Sequence, residues 1–564
     1  MRLSLLNIFR KKRRSTIEFD EIFLDASNLP SFNTGRLEGR LALPLSRASI
    51  IGVGIAFILI ALVFLGQAFR LQIVHGEEFR ERSENNRLDT SLVIAPRGVI
   101  YDRRGELLAW NTEDADISDF SARAYTDRRG LGQLLGHVSY PKKDSSGVYF
   151  RTEYEGISGI ESAYNGQLAG ENGEQLIEID ATQEVISHHV AHPSRAGEPL
   201  TLSIDAEFSE ALHDALATTS EEYDFRSGAG VVMDVHTGEV IALANFPSYN
   251  PGLLAKGTDA EAIHALTQDE RLPFLNRIVS GLYTPGSIVK PFMAYAALAE
   301  KIIDPSKQIL STGSIVIPNL YNPSNPSVFN DWRAHGLVDM RRAIAVSSNV
   351  YFYTIGGGYG GQAGLGISRI NDYMHRFGFG EPVHTPLAEG KAGTVPNPEW
   401  KEETFGEEWR LGDTYFTSIG QFGFQVTPLQ MLRAYGAIAN GGTMLTPHFI
   451  QGEPSSSYDL RLDPAYLAVI REGMRQSATD GTARSLNRGD IHIAAKTGTA
   501  QIGANNEFIN SWAVGYFPYE NPKYVFVTLL EHGPRTNLFG SAPTMSRVIN
   551  WLAHNRPEYL GDIQ

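Results

Sequence analysis

Residues Thr284-Pro285-Gly286-Ser287-Ile288-Val289-Lys290-Pro291-Phe292-Met293-Ala294-Tyr295-Ala296-Ala297-Leu298-Ala299 set the reading of the chain. The apolar run from Phe292 predicts a buried helix, and Thr284-Pro285-Gly286 predicts a tight turn leading into it. Ser287 and Lys290 are three apart at that helix start, so they share a face with Cβ atoms about 5–6 Å apart. A hydroxyl there can have an amine as its base, and the free N–H groups at the helix start can stabilise an oxyanion. Pro291 falls in or beside the first turn, where a missing N–H costs least. Ser-x-x-Lys alone is a weak pattern, most often a capping serine beside a surface lysine. It recurs at Ser139-Tyr140-Pro141-Lys142, where Pro141 and the turn-prone Lys143–Gly147 predict a loop.

Two further boxes follow in order. Ser347-Ser348-Asn349 lies in a helix-like stretch, Val338–Thr354, and Lys496-Thr497-Gly498-Thr499 begins where a strand predicted over Ile491–Ala495 ends. Alone, a Ser-x-Asn is ordinary surface and a Lys-Thr-Gly an ordinary turn. His236-Thr237-Gly238 is such a turn, joining the predicted strands Ala229–Met233 and Val240–Ala244 into a hairpin. Another strand is expected over Tyr524–Leu530, with helical patterns in between. Strands at the ends and helices in the middle predict an α+β layered domain with a mainly antiparallel sheet flanked by helices, not a doubly wound parallel sheet.

Outside this domain the decisive segment is Ala48–Phe69, 22 residues without a charge, against roughly 20 needed for a helix to cross a bilayer. No small-residue cleavage site follows it, which argues against a signal peptide. Residues 1–47 hold nine basic and five acidic groups, a net of +4, and the rest of the chain carries a net of −19. The positive-inside rule therefore places the N-terminus in the cytoplasm and everything after Phe69 outside, in a single pass of the cytoplasmic membrane. Gly76–Arg87 predicts a polar helical continuation, and Ser91–Ile94 a first strand. Short β-type runs such as Gly98–Tyr101 and Gln175–Ile179 predict a β-rich pedestal, ending near Pro193–Gly197. Leu200–Ile204 then reads as a strand and Phe208–Ala217 as an amphipathic helix. The expected organisation is tail 1–47, transmembrane helix 48–69, pedestal 70–197 and catalytic domain 198–564.

Composition removes other classes. A net charge of −15 with no basic stripe excludes a nucleic-acid partner. There is no cysteine, hence no disulfide, thiolate metal site or cysteine nucleophile. The glycine-rich Gly356–Gly366 has no Gly-Lys-Ser/Thr after it and reads as an interhelical loop, so no cofactor is indicated.

The ordered trio resembles the penicillin-recognising serine transpeptidases, whose signature is S-x-x-K, S-D-N and K-T-G. The middle box departs from it, with Ser348 where others carry Asp. Arg97-Gly98-Val99-Ile100-Tyr101-Asp102-Arg103-Arg104-Gly105 looks like the R-G-x-x-x-D-R-x-G signature of class B high-molecular-weight penicillin-binding proteins, expected to build a salt-bridge network in the pedestal (dimerisation-like) domain. Glu408–Thr414, Ile419-Gly420-Gln421 and Val426–Gln430 are most similar to the elongation members of that class. The resemblance covers roughly residues 90–550. The stretch between Trp110 and Glu155 is short for this class and the cytoplasmic tail long.

The resemblance implies a peptidoglycan D,D-transpeptidase with a serine β-lactamase-like domain, inhibited covalently by β-lactam antibiotics. Ser287 would attack the penultimate D-Ala carbonyl of a stem peptide, with neutral Lys290 as base, as the spacing and the lack of a nearby His indicate. By resemblance, Ser347 would relay a proton to the leaving amine, Asn349 and Lys496 would orient the pair, and the Ser287 and Thr499 N–H groups would hold the oxyanion. Thr497 and Thr499, beside Gly498, would hold the substrate carboxylate. Some relatives bind zinc through ligands that include a cysteine, which this chain lacks, and no metal is expected. A SEDS-family (RodA-like) glycosyltransferase in the membrane is the implied partner, together with other elongation-complex proteins. Three competing readings are a division-specific transpeptidase, a non-catalytic penicillin sensor or scaffold, and a β-lactamase. The last would need a water-activating group, and no Glu-x-x-Leu-Asn follows the middle box.

Overall fold

The computed structural model describes residues 46–85, 88–114, 117–179, 185–319, 322–537 and 540–561. All but the last two residues of the expected tail 1–47 lie outside them. The chain divides into two compact units, Met1–Leu88 and Asp89–Gln564. In the first, helix α1 (Arg47–Phe69) starts at Ser46, whose side chain accepts from Ser49 N. Its 23 residues span about 35 Å, more than the roughly 30 Å of a bilayer's hydrocarbon. Among the described residues it is the one helix, continuing to Val74, that is long and apolar enough to cross a membrane. Helix α2 (Gly76–Asn85) follows where a polar continuation is predicted.

The second unit opens with β1 (Leu88–Val93), β2 (Ile100–Tyr101), β3 (Leu107–Asp114) and β4 (Ile117–Tyr125). Strands β5 (Gly173–Ile179) and β6 (Val185–His192) form an antiparallel hairpin that joins β1 in one sheet. A second sheet runs β7-β2-β3-β4, where β7 is Leu200–Thr201. The strand expected over Leu200–Ile204 is thus shorter, and it pairs in parallel with β2, Leu200 opposite Ile100.

The Arg97–Gly105 segment knits this region together. Arg97 Nε and Arg123 Nε donate to the two oxygens of Glu161 at 2.6 and 2.8 Å, all three side chains sealed from water. Asp102 takes the backbone N–H groups of Arg104 and Glu106 with one oxygen and that of Ala206 with the other. Arg104 donates to Asp205, the N-cap of helix α3 (Ala206–Glu222). The segment therefore grips the start of the large domain as well as the pedestal.

The large domain is built on a five-stranded antiparallel sheet in the order β9-β8-β12-β11-β10. Its strands are β8 (Ser227–Asp234), β9 (Val240–Phe246), β10 (Ala494–Ile502), β11 (Phe508–Phe517) and β12 (Tyr524–Pro534). Because side chains alternate along a strand, the sheet feeds two cores. Val232, Phe526 and Leu530 pack with Phe208 and Leu216 of α3 and with Met545 and Ile549 of the C-terminal helix Ser541–Asn555. Val231, Met233, Val514 and Val527 face a larger core that includes helix α4 (Lys290–Ala299), apolar along its length as predicted. Lys496 is two residues from Ala494, which belongs to this larger core, so the alternation turns the lysine toward the helices.

Candidate active site

Ser287 lies on a single 3₁₀ turn, Gly286–Val289, that runs directly into α4. The turn is pinned from three sides. Gly286, at φ +58°, donates its N–H to Gly420 O at 2.9 Å. Trp512 Nε1 holds Thr284 O at 3.1 Å, and the Tyr435 hydroxyl holds Ile288 O at 2.6 Å. Tyr435 belongs to the helix Pro428–Asn440, whose Thr427 and Gln430 form a capping box. The segments Ile419–Gln421 and Val426–Gln430, read in the sequence only as family marks, thus support the nucleophile turn. Ser287 is half-buried, and among the described residues its hydroxyl makes no hydrogen bond.

Lys290 is fully buried one turn on. Its Nζ donates to Ser347 O at 2.8 Å, Ser347 Oγ at 3.3 Å and Asn349 Oδ1 at 2.7 Å. Burial lowers its pKa to about 7, although Asp331 opposes the shift. Close to neutral pH a large fraction of the amine is therefore unprotonated and able to take a proton.

The Ser347-Ser348-Asn349 box corrects the helix expected over Val338–Thr354. Helix α5 (Met340–Val346) stops at Ser347, which is left-handed at φ 59°, and helix α6 (Asn349–Gly357) starts anew with Ser348 as its N-cap. Serine competes with the helical backbone in mid-helix and favours caps, so the Ser-Ser pair marks the break. The left-handed residue points the Ser347 hydroxyl at both lysines.

The third box needs a correction too. Lys496-Thr497-Gly498-Thr499 does not follow a strand; it lies inside β10, paired along its length with β11. A Cβ on Gly498 would stand 2.9 Å from Pro285 O and from Ile288 Cγ2. Its absence lets the strand press against the Ser287 turn, and a Cβ at Gly286 would in turn lie 3.1 Å from Thr499 O. Lys496, with no exposure, donates to Ser347 Oγ at 2.9 Å and Thr497 O at 2.6 Å. Burial, reinforced by the charge of Lys290, drives its pKa well below the ordinary lysine value. Thr497 Oγ1 donates to Thr482 at 2.6 Å, while Thr499 is exposed on the strand.

Asp331 and His335, which the sequence reading passed over, also stand here, with His335 Nε2 3.6 Å from Asp331 Oδ1. Among the described residues no group of three or more His, Asp or Glu side chains could hold a metal ion. The residues present do not fit a zinc centre of the kind some relatives carry.

Two family models match the chain: the penicillin-binding protein transpeptidase domain over residues 228–550 and the penicillin-binding protein dimerisation domain over residues 114–202. The peptidoglycan D,D-transpeptidase MrdA of Haemophilus influenzae is 28% identical, with 89% of this chain and 91% of that protein covered. Among solved structures, penicillin-binding protein 2 of Helicobacter pylori in complex with MreC matches at TM-score 0.69 and 26% identity, covering 83% of this chain and 100% of that one. A chain of a peptidoglycan synthase complex that coordinates polymerization and crosslinking matches at TM-score 0.70 and 26% identity, over 89% and 98%. The chain belongs to the penicillin-binding protein transpeptidase family.

Proposed function

We propose that this chain is a serine-type D,D-transpeptidase that cross-links peptidoglycan stem peptides as the cell wall elongates, and that β-lactams acylate it. One observation carries the reading: a single hydroxyl, Ser347, lies between two solvent-free lysines of depressed pKa, with Ser287 one turn from the first. Lys290 in its neutral form takes the Ser287 proton as Oγ attacks the penultimate D-Ala carbonyl. The negative charge on the carbonyl oxygen is held by the Ser287 and Thr499 N–H groups, and losing one such donor costs about 3–4 kcal/mol of barrier. As the tetrahedral centre collapses, Ser347 passes a proton to the leaving D-Ala amine, and Asn349 and Lys496 hold that relay in line. Thr497 and Thr499, flanking Gly498, receive the terminal carboxylate. An amine from a neighbouring stem peptide then attacks the acyl-Ser287 ester, forming the cross-link and returning the proton.

The same reading assigns residues 70–197 to the pedestal and 198–564 to the catalytic domain, outside the cytoplasmic membrane, with the tail inside as its charge favours. Strand polymerisation would come from a SEDS-family glycosyltransferase, consistent with the matched chain from a synthase complex. An MreC-like elongation protein is the second partner, by analogy with the Helicobacter pylori complex. Labelled penicillin tests the core of the proposal: wild type should form a stable covalent adduct and Ser287→Ala none. An adduct on Ser287→Ala would refute the nucleophile.

A further inference from the structure

Asp331 follows the short strand Ser327–Asn330, and its side chain has no exposure. Its Oδ2 accepts from the Ser348 hydroxyl at 2.8 Å, from Val350 N at 3.0 Å and from the Ser311 hydroxyl at 3.1 Å. Its Oδ1 accepts from Trp332 N at 2.9 Å. One carboxylate thus ties the strand Ile309–Ser311, its own loop and the first turn of α6, where a negative charge also complements the helix dipole. Ser348 is the middle residue of the second box, and its neighbours on either side are the ones that Lys290 binds.

The charged and titratable groups around this carboxylate come from every packed element. His335 faces it, but its Nδ1 takes a hydrogen bond from Arg333 Nε at 3.4 Å, and burial lowers its pKa, so a neutral ring presents Nε2–H. Tyr353 approaches from α6 and Lys290 from α4, with Lys496 behind Lys290 on β10. Burial alone would raise the pKa of Asp331. Hydrogen bonds from the Asn349 and Val350 N–H groups and from Ser348 outweigh that and hold it below the usual carboxylate range.

We propose that Asp331 is a positioning residue of the acylating centre: it clamps the Ser347-Ser348-Asn349 corner in the geometry that both lysines bind, and it supplies negative charge beside Lys290. The inference rests on the transpeptidase reading above. It assigns Ser348 a purpose the motif comparison did not, as the donor that locks the corner to Asp331.

The test is the second-order rate of acylation by labelled penicillin, from pH 5 to 9, on the full chain carrying Asp331→Asn or Ser348→Ala. Asp331→Asn removes charge and acceptor together. Its rate should fall about tenfold or more, as displacement of a catalytic group by a fraction of an ångström does. Its acid limb should also move to lower pH, because Lys290 loses the charge that favours its protonated form. Ser348→Ala loosens the clamp but keeps the charge, so its rate should fall while the acid limb stays where wild type has it. A merely structural role would lower the yield of folded protein without moving the limb. Asp331→Asn acylating like wild type, or slowed with an unmoved limb, would overturn the proposal. So would Ser348→Ala matching wild type throughout, which decides the matter if Asp331→Asn does not fold. Failure of the underlying reading looks different: wild type itself forms no adduct, or Ser287→Ala still does.

Discussion

Lys290 and Lys496 converge on one oxygen, with Nζ of the first 3.3 Å and Nζ of the second 2.9 Å from the Ser347 hydroxyl. Neither lysine is exposed. Two ammonium groups at such range repel, and burial penalises each, so the pair binds protons weakly and titrates as a unit. The catalytic array is thereby kept near neutrality without a histidine.

The first consequence is a pH profile. Acylation should rise about tenfold per pH unit below about 7 and level off above it, since the rate follows the neutral form of Lys290. Lys290→Gln should lower the plateau by about 10²–10⁴. Stopped-flow acylation across pH 5 to 9 measures both, and a flat profile would remove Lys290 as the base.

Stability should carry the same signature. Between about 7 and the ordinary lysine value, the unfolded chain binds a proton that folded Lys290 does not, so stability increases with pH through that window. Urea unfolding at pH 7 and 9 should show a smaller gain for Lys290→Gln than for wild type. Equal gains would mean that Lys290 is protonated in the folded state.

Gly498→Ala places a methyl group 2.9 Å from Pro285 O and Ile288 Cγ2. The strand must back away from the Ser287 turn, and acylation should slow by about 10² if the groups separate by roughly 1 Å. A melting temperature near that of wild type would show that the loss is local. Acylation at the wild-type rate would mean the turn yields freely.

Glu161→Gln leaves Arg97 and Arg123 buried without a counter-charge. Breaking a buried ion pair in this way costs about 3–5 kcal/mol. Chemical denaturation should register the loss, and a change under about 1 kcal/mol would show that water reaches the site.

Chelation offers a separate check. With no cluster of three metal-ligating carboxylates or histidines among the described residues, treatment with EDTA should leave the acylation rate unchanged. A loss restored by zinc would contradict this.

Much of the site was legible because its chemistry is written in short spacings. Ser287 and Lys290 are separated by one turn, and the turn signals before them are local. The places where the reading slipped depend on contacts. Val338–Thr354 has a helical pattern throughout, and only the preference of Ser347 and Ser348 for caps hints at the break. The last strand was placed early, over Ile491–Ala495, because Lys496 and Gly498 are poor strand formers; pairing with β11 overrides that. Asp331 gave no signal at all, since residues 311, 331 and 348 meet only in the folded chain.

Strand β7 closes the account. Leu200 and Thr201 stand at the head of the catalytic half, yet their backbone completes the sheet of the other half beside Ile100 and Tyr101. A chimera cut ahead of Leu200 would leave β2 with a bare edge in one parent and an orphan segment in the other. Any natural recombination between relatives, or any engineered graft, has its workable seam after Thr201.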